Sequence, residues 1–355
     1  MKFLLLPCLL AIPAFGYVLV DNLKVSAGVE RTLKMAAEMR RGLGEGKEDV
    51  YAQFTDFIVK FEREYKDEKE VAQRFEIIEK SLKRIAELQK KSPTAQFGLT
   101  NMADLSEEEF GRIANLKVPP RNEDEEQDFL QLDISEEDLP KEHDWRKLNG
   151  VSSVKDQGDC GACFAFGTVG AIESQWLIKR NQSLDLSIEQ ILECTYDNPK
   201  YGSYFGCGGG YLDGVFQYVI DNGITDEKHW PYNPSWHDMG TCQKEPKVAT
   251  LTSAKNITRL SDVELQKAVY SIGPVTVAID SSFIQFYNGG IISVEDQEWG
   301  LDHAVLVVGY GVEKDIPYWI VKNSWGKIYG EHGYFRVYRG NNTLGITEAP
   351  EAAIL

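Results

Sequence analysis

The stretch "DQGDCGACFAF", residues 156–166, sets Cys160 and Cys163 two residues apart. That spacing serves three chemistries: a dithiol redox centre, half of a zinc site, or one structural cysteine beside one nucleophile. A thioredoxin-type pair follows a buried apolar strand, whereas "KDQGD", polar and turn-like, precedes Cys160. A structural zinc site wants four ligands, usually as paired clusters; Cys194 and Cys207 form no second C-x-x-C, and no H-x-x-x-H occurs. A nucleophilic cysteine must be a thiolate, which a helix N-terminus and a nearby imidazolium both favour. Cys163 opens "CFAFGTVGAIESQWLIK" (163–179), where Phe166, Val169, Ile172 and Trp176 share one helical face. Five histidines can be weighed against it. His143, His229, His237 and His332 stand in polar, loop-like contexts and read as surface residues. His303 instead heads an apolar strand, "LDHAVLVVGYG", where a polar ring must be satisfied or functional. Alone it reads as a satisfied core residue; beside Cys163 and Asn323 the functional reading moves ahead.

These residues need a scaffold, and the chain has room for one. Its 355 residues, 43% hydrophobic, suit two units rather than one. The net charge of −17 argues against nucleic acid as a partner, because phosphate binding needs a basic face. "MKFLLLPCLLAIPAFG" has the charged start, apolar run and small-x-small end of a signal peptide, residues 1–16. A secretory route is expected, ending in a lysosome or outside the cell, with no membrane attachment after cleavage. Six cysteines less Cys8 leave five, which in an oxidising compartment means two bridges and one free thiol.

Residues 17–133 read as a separate region, rich in Glu, Lys, Arg and Ala and free of cysteine. Residues 26–43 carry Val29, Leu33, Ala36 and Met39 at helical spacing. Residues 68–89 are clearer: Val71, Phe75, Ile78, Leu82, Ile85 and Leu88 make one apolar stripe that must be buried. Ser106 with Glu109 is a capping box that starts another helix. The acidic block 122–140 reads as a solvated, cleavable linker. Beyond it, 273–279, 303–311, 317–325 and 333–339 are strand-like, after the helix at 163. An α+β fold follows.

"VKDQGDCGACFAF", "GCGGG", "LDHAVLVVGYG" and "YWIVKNSWG" resemble the signature segments of the papain family of cysteine peptidases, over residues 140–355 and more loosely 50–110. The resemblance implies a two-lobed fold, one lobe helical and one an antiparallel β-barrel-like structure, at 134–355. It also implies a helical inhibitory prosegment at about 50–115. Glu70, Arg74, Ile85, Gly98 and Asp104 match the prosegment pattern; Ile78, Ser81, Gln89, Thr100 and Met102 depart from it. By position, Cys163 resembles the nucleophile and His303 its imidazole partner. Asn323 resembles the amide that orients the ring, Gln157 an oxyanion donor, and Trp325 the cover over the Asn–His bond. Cys160 would pair with Cys207 and Cys194 with Cys242. A third bridge common in the family is missing, with apolar packing expected at Leu344.

Gly209 and Gly210 would hold an extended substrate through the backbone. Tyr211, Leu212, Ala278, Leu301, Ala304 and Ala349 would line a pocket for Leu, Val or Phe two residues before the cleaved bond. Asp302 either tunes the catalytic pair or caps a strand end. Phe164 stands where the family usually has Trp, and the segment 195–206 is longer than in papain. The implied protein is an endopeptidase nearest the cathepsin L-like branch, made as a zymogen. It would act as a monomer on peptides and proteins, without cofactor or metal, with its own prosegment and cystatin-like inhibitors as partners. Acid-promoted maturation is expected, through carboxylates paired with bases between the two regions. Asn181, Asn256 and Asn341 head glycan acceptor triplets. The rival readings are a peptide-binding relative that does not cut and a disulfide oxidoreductase.

Overall fold

The computed structural model describes residues 25–118, 129–202, 206–234, 240–295 and 298–355. The signal-peptide segment 1–16, the first part of the acidic linker (122–128), His237 and residues 203–205 of the long segment lie outside them. Two compact units divide at Gln73 and Arg74.

The first unit holds α1 (Ala27–Arg40), α2 (Glu48–Lys60) and the start of α3 (Glu68–Lys91). Ser26 caps α1 by accepting from the Val29 amide, and the expected stripe is buried at Val29 and Ala36. The Tyr65 amide donates to Thr32 Oγ1 (3.0 Å), and Tyr65 stacks on Phe54 of α2 (6.2 Å).

The second unit contains the remainder. After α3 come β1 (Ala95–Phe97), α4 (Glu107–Ile113) and β2 (His143–Asp144). Then follow α5 (Cys163–Arg180), α6 (Ile188–Thr195), α7 (Leu212–Asn222), β3 (Ser253–Asn256) and α8 (Asp262–Ser271). The chain ends with β4 (Val275–Ile279), β5 (Tyr287–Ile292), β6 (His303–Glu313), β7 (Ile316–Lys322), β8 (Tyr334–Tyr338) and β9 (Glu351–Ile354). Among the described residues the strands form one sheet, ordered β1-β5-β8-β7-β6-β4-β9-β3, with β2 on β6. β5 and β8 pair in parallel; every other pair is antiparallel.

Sequence dictates the placement of the two central elements. β6 is buried without break from His303 to Gly311, as a strand covered on both faces must be. α5 is buried from Cys163 through Gln175, nearly all round. It approaches the sheet closely because Gly167 has no side chain; a Cβ there would stand 3.2 Å from Thr276 and 3.6 Å from Ala304. α4 carries the expected capping box, with Ser106 Oγ accepting from the Glu109 amide and Glu109 accepting from the Ser106 amide. Leu344 is fully buried, in the apolar manner expected.

His143 differs from its surface reading. It sits in β2, half-buried, with its ring edge-on to Trp145 (4.7 Å) and Tyr270 (5.1 Å). The polar residues around it in sequence hide a two-residue strand that pairs with β6 and turns the ring inward.

Candidate active site

Cys163 is the first residue of α5, so its sulfur lies where the helix leaves amide N–H groups unpaired. The turn before it is pinned by the Cys160–Cys207 disulfide and by the Gly161 amide donating to the Cys207 carbonyl (2.9 Å). Cys194 is bonded to Cys242, and Cys163 is a free, fully buried thiol. A dithiol centre would need Cys160 bonded to Cys163.

His303 begins β6, across β4 from Ile279, and the loop after β7 brings Asn323 to it. His303 Nε2 meets Asn323 Oδ1 at 2.8 Å. An amide oxygen accepts, so Nε2 carries the proton and Nδ1 is left as the basic nitrogen. Among the described residues Nδ1 has no hydrogen-bond partner. The Trp325 ring lies against the imidazole (4.8 Å between centroids).

Ser324, which the motif reading passed over, ties the parts together. Its amide donates to Asn323 Oδ1 (2.9 Å) and its hydroxyl donates to Gln157 Oε1 (2.6 Å). Beneath Asn323, buried Lys322 donates to Ser152 Oγ (3.0 Å), beside the Lys155–Glu173 ion pair (2.8 Å). Burial pulls the Lys322 ammonium down to about 8.

A stretch of the N-terminal region covers all of this. Phe110 stands edge-on to Trp325 (5.5 Å). The Ile113 carbonyl accepts from Gln157 Nε2 (3.0 Å), which also donates to the Cys160 carbonyl (2.8 Å). Both amide hydrogens of Gln157 are therefore engaged. Asn115 Nδ2 donates to the Gly208 carbonyl (2.9 Å), the Leu116 amide to the Asp302 carbonyl (2.7 Å), and the Lys117 amide to the Gly210 carbonyl (3.0 Å). Gly209, at φ +98°, makes the approach possible: a Cβ there would fall 1.9 Å from the Asn115 carbonyl oxygen. Gly210 packs its backbone on the Phe164 ring, which is fully buried.

The cover removes water from two titrating groups. Burial pushes the Cys163 thiol up to about 11, against the backbone amides of Ala304 and Asn115, and the Asp302 carboxyl adds to the rise. Burial pulls the His303 imidazole down to about 4, with the Asn323 hydrogen bond working the other way. Both groups are neutral near pH 7 in this state. Asp302 accepts from the Ser281 amide and hydroxyl (2.8 Å each), and burial holds its carboxyl up at about 6. It thus pins the turn after β4 as well as facing the thiol.

Beyond the glycines opens a cavity of about 170 Å³. Leu212, Ala278, Leu301 and Ala349 line it, together with Leu116 and Val118 of the covering segment. Tyr211 and Ala304 are not among its lining residues: Tyr211 precedes α7 and stacks over Gly202, and Ala304 faces α5. Asp213, Arg259, Glu348 and Glu351 also line the cavity, and sequence reasoning missed all four. They come from three separate segments, none with a recognisable motif.

A thiol at a helix N-terminus, kept neutral by a piece of its own chain, belongs to a protease zymogen. The sequence pattern of the papain family cysteine proteases matches residues 139–354, and that of the cathepsin propeptide inhibitor domain (I29) matches residues 54–110. The chain belongs to the papain family and is a cysteine protease with its propeptide, a hydrolase. It is 39% identical over 306 residues to the viral cathepsin of Choristoneura fumiferana nuclear polyhedrosis virus, covering 84% of this chain and 91% of that one. Among solved structures it resembles digestive procathepsin L 3 of Tenebrio molitor larval midgut (TM-score 0.71, 33% identity, 86% of this chain and 99% of the other). It also resembles the recombinant stem bromelain precursor (TM-score 0.74, 30% identity, 87% and 99%).

Proposed function

We propose that the matured chain is a cysteine endopeptidase working through a thiolate–imidazolium pair. The observation that carries this reading is the orientation of His303. Its Nε2 is held by Asn323 (2.8 Å), which leaves an unpartnered Nδ1 in the site where Cys163 heads α5. Once the prosegment leaves, water and the helix N-terminus lower the cost of charge on sulfur, and the thiol proton passes to Nδ1. The thiolate adds to the substrate carbonyl carbon. The resulting oxyanion takes the Gln157 amide hydrogen freed from Ile113, together with the Cys163 backbone amide. The imidazolium gives its proton to the leaving amine, and a thioester forms. Water, deprotonated by the neutral imidazole, adds to the thioester; the acid leaves and the thiol is restored. Trp325 keeps water from the Asn323–His303 bond.

The prosegment passes Trp325 at Phe110, Gln157 at Ile113, and the cavity at Leu116–Val118. A substrate reading into the cavity two residues before the cleaved bond runs the other way, so the scissile geometry is never offered. The apolar collar favours Leu, Val or Phe at that residue. The domain plan that fits is a signal peptide at 1–16, a propeptide at 17–133 and the peptidase at 134–355, with maturation in the acidic linker. A secretory route to a lysosome or the medium, a monomeric state, and cystatin-like inhibitors follow from the same reading. Asn181, Asn256 and Asn341 are all exposed, as glycan acceptors would be. No helix among the described residues is long and apolar enough to cross a membrane. The deciding experiment is a peptide-library cleavage profile of the matured protein beside Cys163→Ala. Cleavage that persists in the variant, or a profile without apolar residues at the second position, overturns the reading.

A further inference from the structure

The cavity beside the catalytic residues is apolar only at its collar. Leu212, Ala278, Leu301 and Ala349 form that collar; Asp213, Glu348 and Glu351 bring three carboxyls to the same cavity, and Arg259 one guanidinium. A second cavity of about 170 Å³ adjoins it, and Glu351, Asp213 and Asn256 line both. Glu351 is the first residue of β9, fixed by its pairing with Asn256 of β3 and Thr276 of β4. The prosegment contributes one cation to the rim, Lys117, whose ammonium donates to Asn115 Oδ1 (2.7 Å), and it departs with the prosegment. What remains in the first cavity is three acids against Arg259, and Lys255 lines the second.

We propose that Glu351, with Asp213, makes this cavity a site for a basic side chain, so that the enzyme cleaves peptides with Arg or Lys two residues before the bond as well as those with Leu, Val or Phe. The apolar collar suits the methylene stem of such a side chain, and the acids suit its cationic head. Burial, aided by Asp213 and opposed by Arg259, pushes the Glu351 carboxyl up to about 8, so near neutral pH it is mostly protonated and ionises when a cation comes to lie beside it. A bound guanidinium supplies that cation. An apolar side chain stops at the collar and leaves the acid undisturbed.

This inference rests on the reading of the cavity as the pocket for that residue, and the test separates the two. Matured enzyme, counted by titration with a thiol-reactive epoxide, is given four peptides that differ only at the second position: Leu, Arg, Lys and citrulline, the uncharged isostere of Arg. The expected kcat/KM for Arg exceeds that for citrulline tenfold or more, and Glu351→Gln brings the ratio close to one. A wild-type ratio near one overturns the inference, as does a high ratio that survives Glu351→Gln. If Glu351→Gln gives no titratable sites, Glu351→Asp takes its place, with the ratio expected to fall severalfold; an unchanged ratio overturns the assignment. Hydrolysis of none of the four peptides defeats the proposed function itself. Hydrolysis of the Leu peptide without an Arg-over-citrulline preference defeats only the inference.

Discussion

Two stretches of the N-terminal region meet the peptidase by different means. Residues 92–102 lie on the sheet edge and add side-chain bonds to a backbone ladder, in which the Ile291 amide donates to the Thr94 carbonyl (3.0 Å) and the Gly98 amide to the Phe286 carbonyl (2.9 Å). Ser92 Oγ accepts from the Ser293 amide (2.9 Å), Thr94 donates to the Ile291 carbonyl (2.7 Å), and Thr100 donates to the Gln285 carbonyl (2.5 Å). Asn101 donates to the Trp325 carbonyl (3.0 Å), and β1 extends the sheet at β5. Residues 113–117 cross the cleft and use mostly backbone: the Ile113 carbonyl and the Leu116 and Lys117 amides. The first stretch docks on the sheet edge, its side chains meeting main-chain groups of Ser293, Ile291, Gln285 and Trp325. The second can silence the chemistry of any peptidase with the same cleft. Docking on the sheet edge and covering of the cleft thus fall to different stretches of one prosegment.

The largest expected effect tests the silencing. A thiol held at about 11 is ionised in roughly one molecule in 10⁴ at pH 7. Thiolate carries the reactivity, so alkylation of Cys163 by iodoacetamide should be about 10²- to 10⁴-fold slower in the zymogen than in the matured form. Rates within tenfold of each other would mean that the cleft stretch neither dries nor neutralises the site.

Next comes the junction of the two stretches. Phe110 is 8% exposed and rests on Trp325. Phe110→Ala should cost about 3 kcal/mol, roughly a 10²-fold larger open population. The rate at which an added protease cuts the prosegment of Cys163→Ala zymogen reads that population. An increase below about threefold would place the anchor elsewhere.

Legibility followed length and periodicity. α3 and α5 were readable because six and four apolar residues respectively recur on one face, and β6 because its apolar run is continuous. β1 was not readable. Three residues, "AQF", form a strand only because β5 offers an unpaired edge. β9 was hidden for a related reason: "EAAI" after Pro350 has little strand propensity and depends on β3 and β4. α6, α7 and α8 are short, and no run of apolar residues marks them as helices in the sequence reading. In the site, Cys163, His303 and Asn323 were legible as a constellation within quoted motifs. Glu351, Asp213 and Arg259 were not, since three chain segments must meet before their charges share a cavity.

The acid response expected from sequence needs a carboxylate–base pair that titrates in mild acid. The pair Arg74–Glu109 exists, at 2.6 Å, but inside the prosegment. Despite its burial, the hydrogen bonds from Arg74 and Ser106 hold the Glu109 carboxyl down at about 2. A depressed carboxyl contributes stability fully above its ordinary value and loses it only as pH falls through the folded value. Glu109→Gln should therefore lower prosegment stability by about 1–2 kcal/mol, allowing for partial exposure, and by the same amount at pH 7 and pH 5. Melting of Cys163→Ala zymogen with and without the substitution checks this. A gap that closes by pH 5 would make Glu109 the acid trigger after all. A constant gap leaves the trigger to other groups. The catalytic pair itself contributes little in this range, because a proton that moves from Cys163 to His303 on opening is neither taken up nor released.

The smallest effects separate side-chain from backbone docking most directly. Thr94→Val keeps the shape and removes one hydrogen bond to the Ile291 carbonyl. The loss should be about 1 kcal/mol, or roughly fivefold in the open population. Val118 closes the cleft stretch with 37% of its surface exposed. Val118→Ser should cost under about 0.5 kcal/mol, less than threefold, because nothing specific is read there. Both are measured by the same protease-susceptibility assay in the Cys163→Ala background. If Val118→Ser opens the zymogen more than Thr94→Val does, then the end of the cleft stretch is read by its side chain. The division between a docking ledge and a silencing backbone would then fail at the pocket, where Leu116 and Val118 line the same cavity as Glu351.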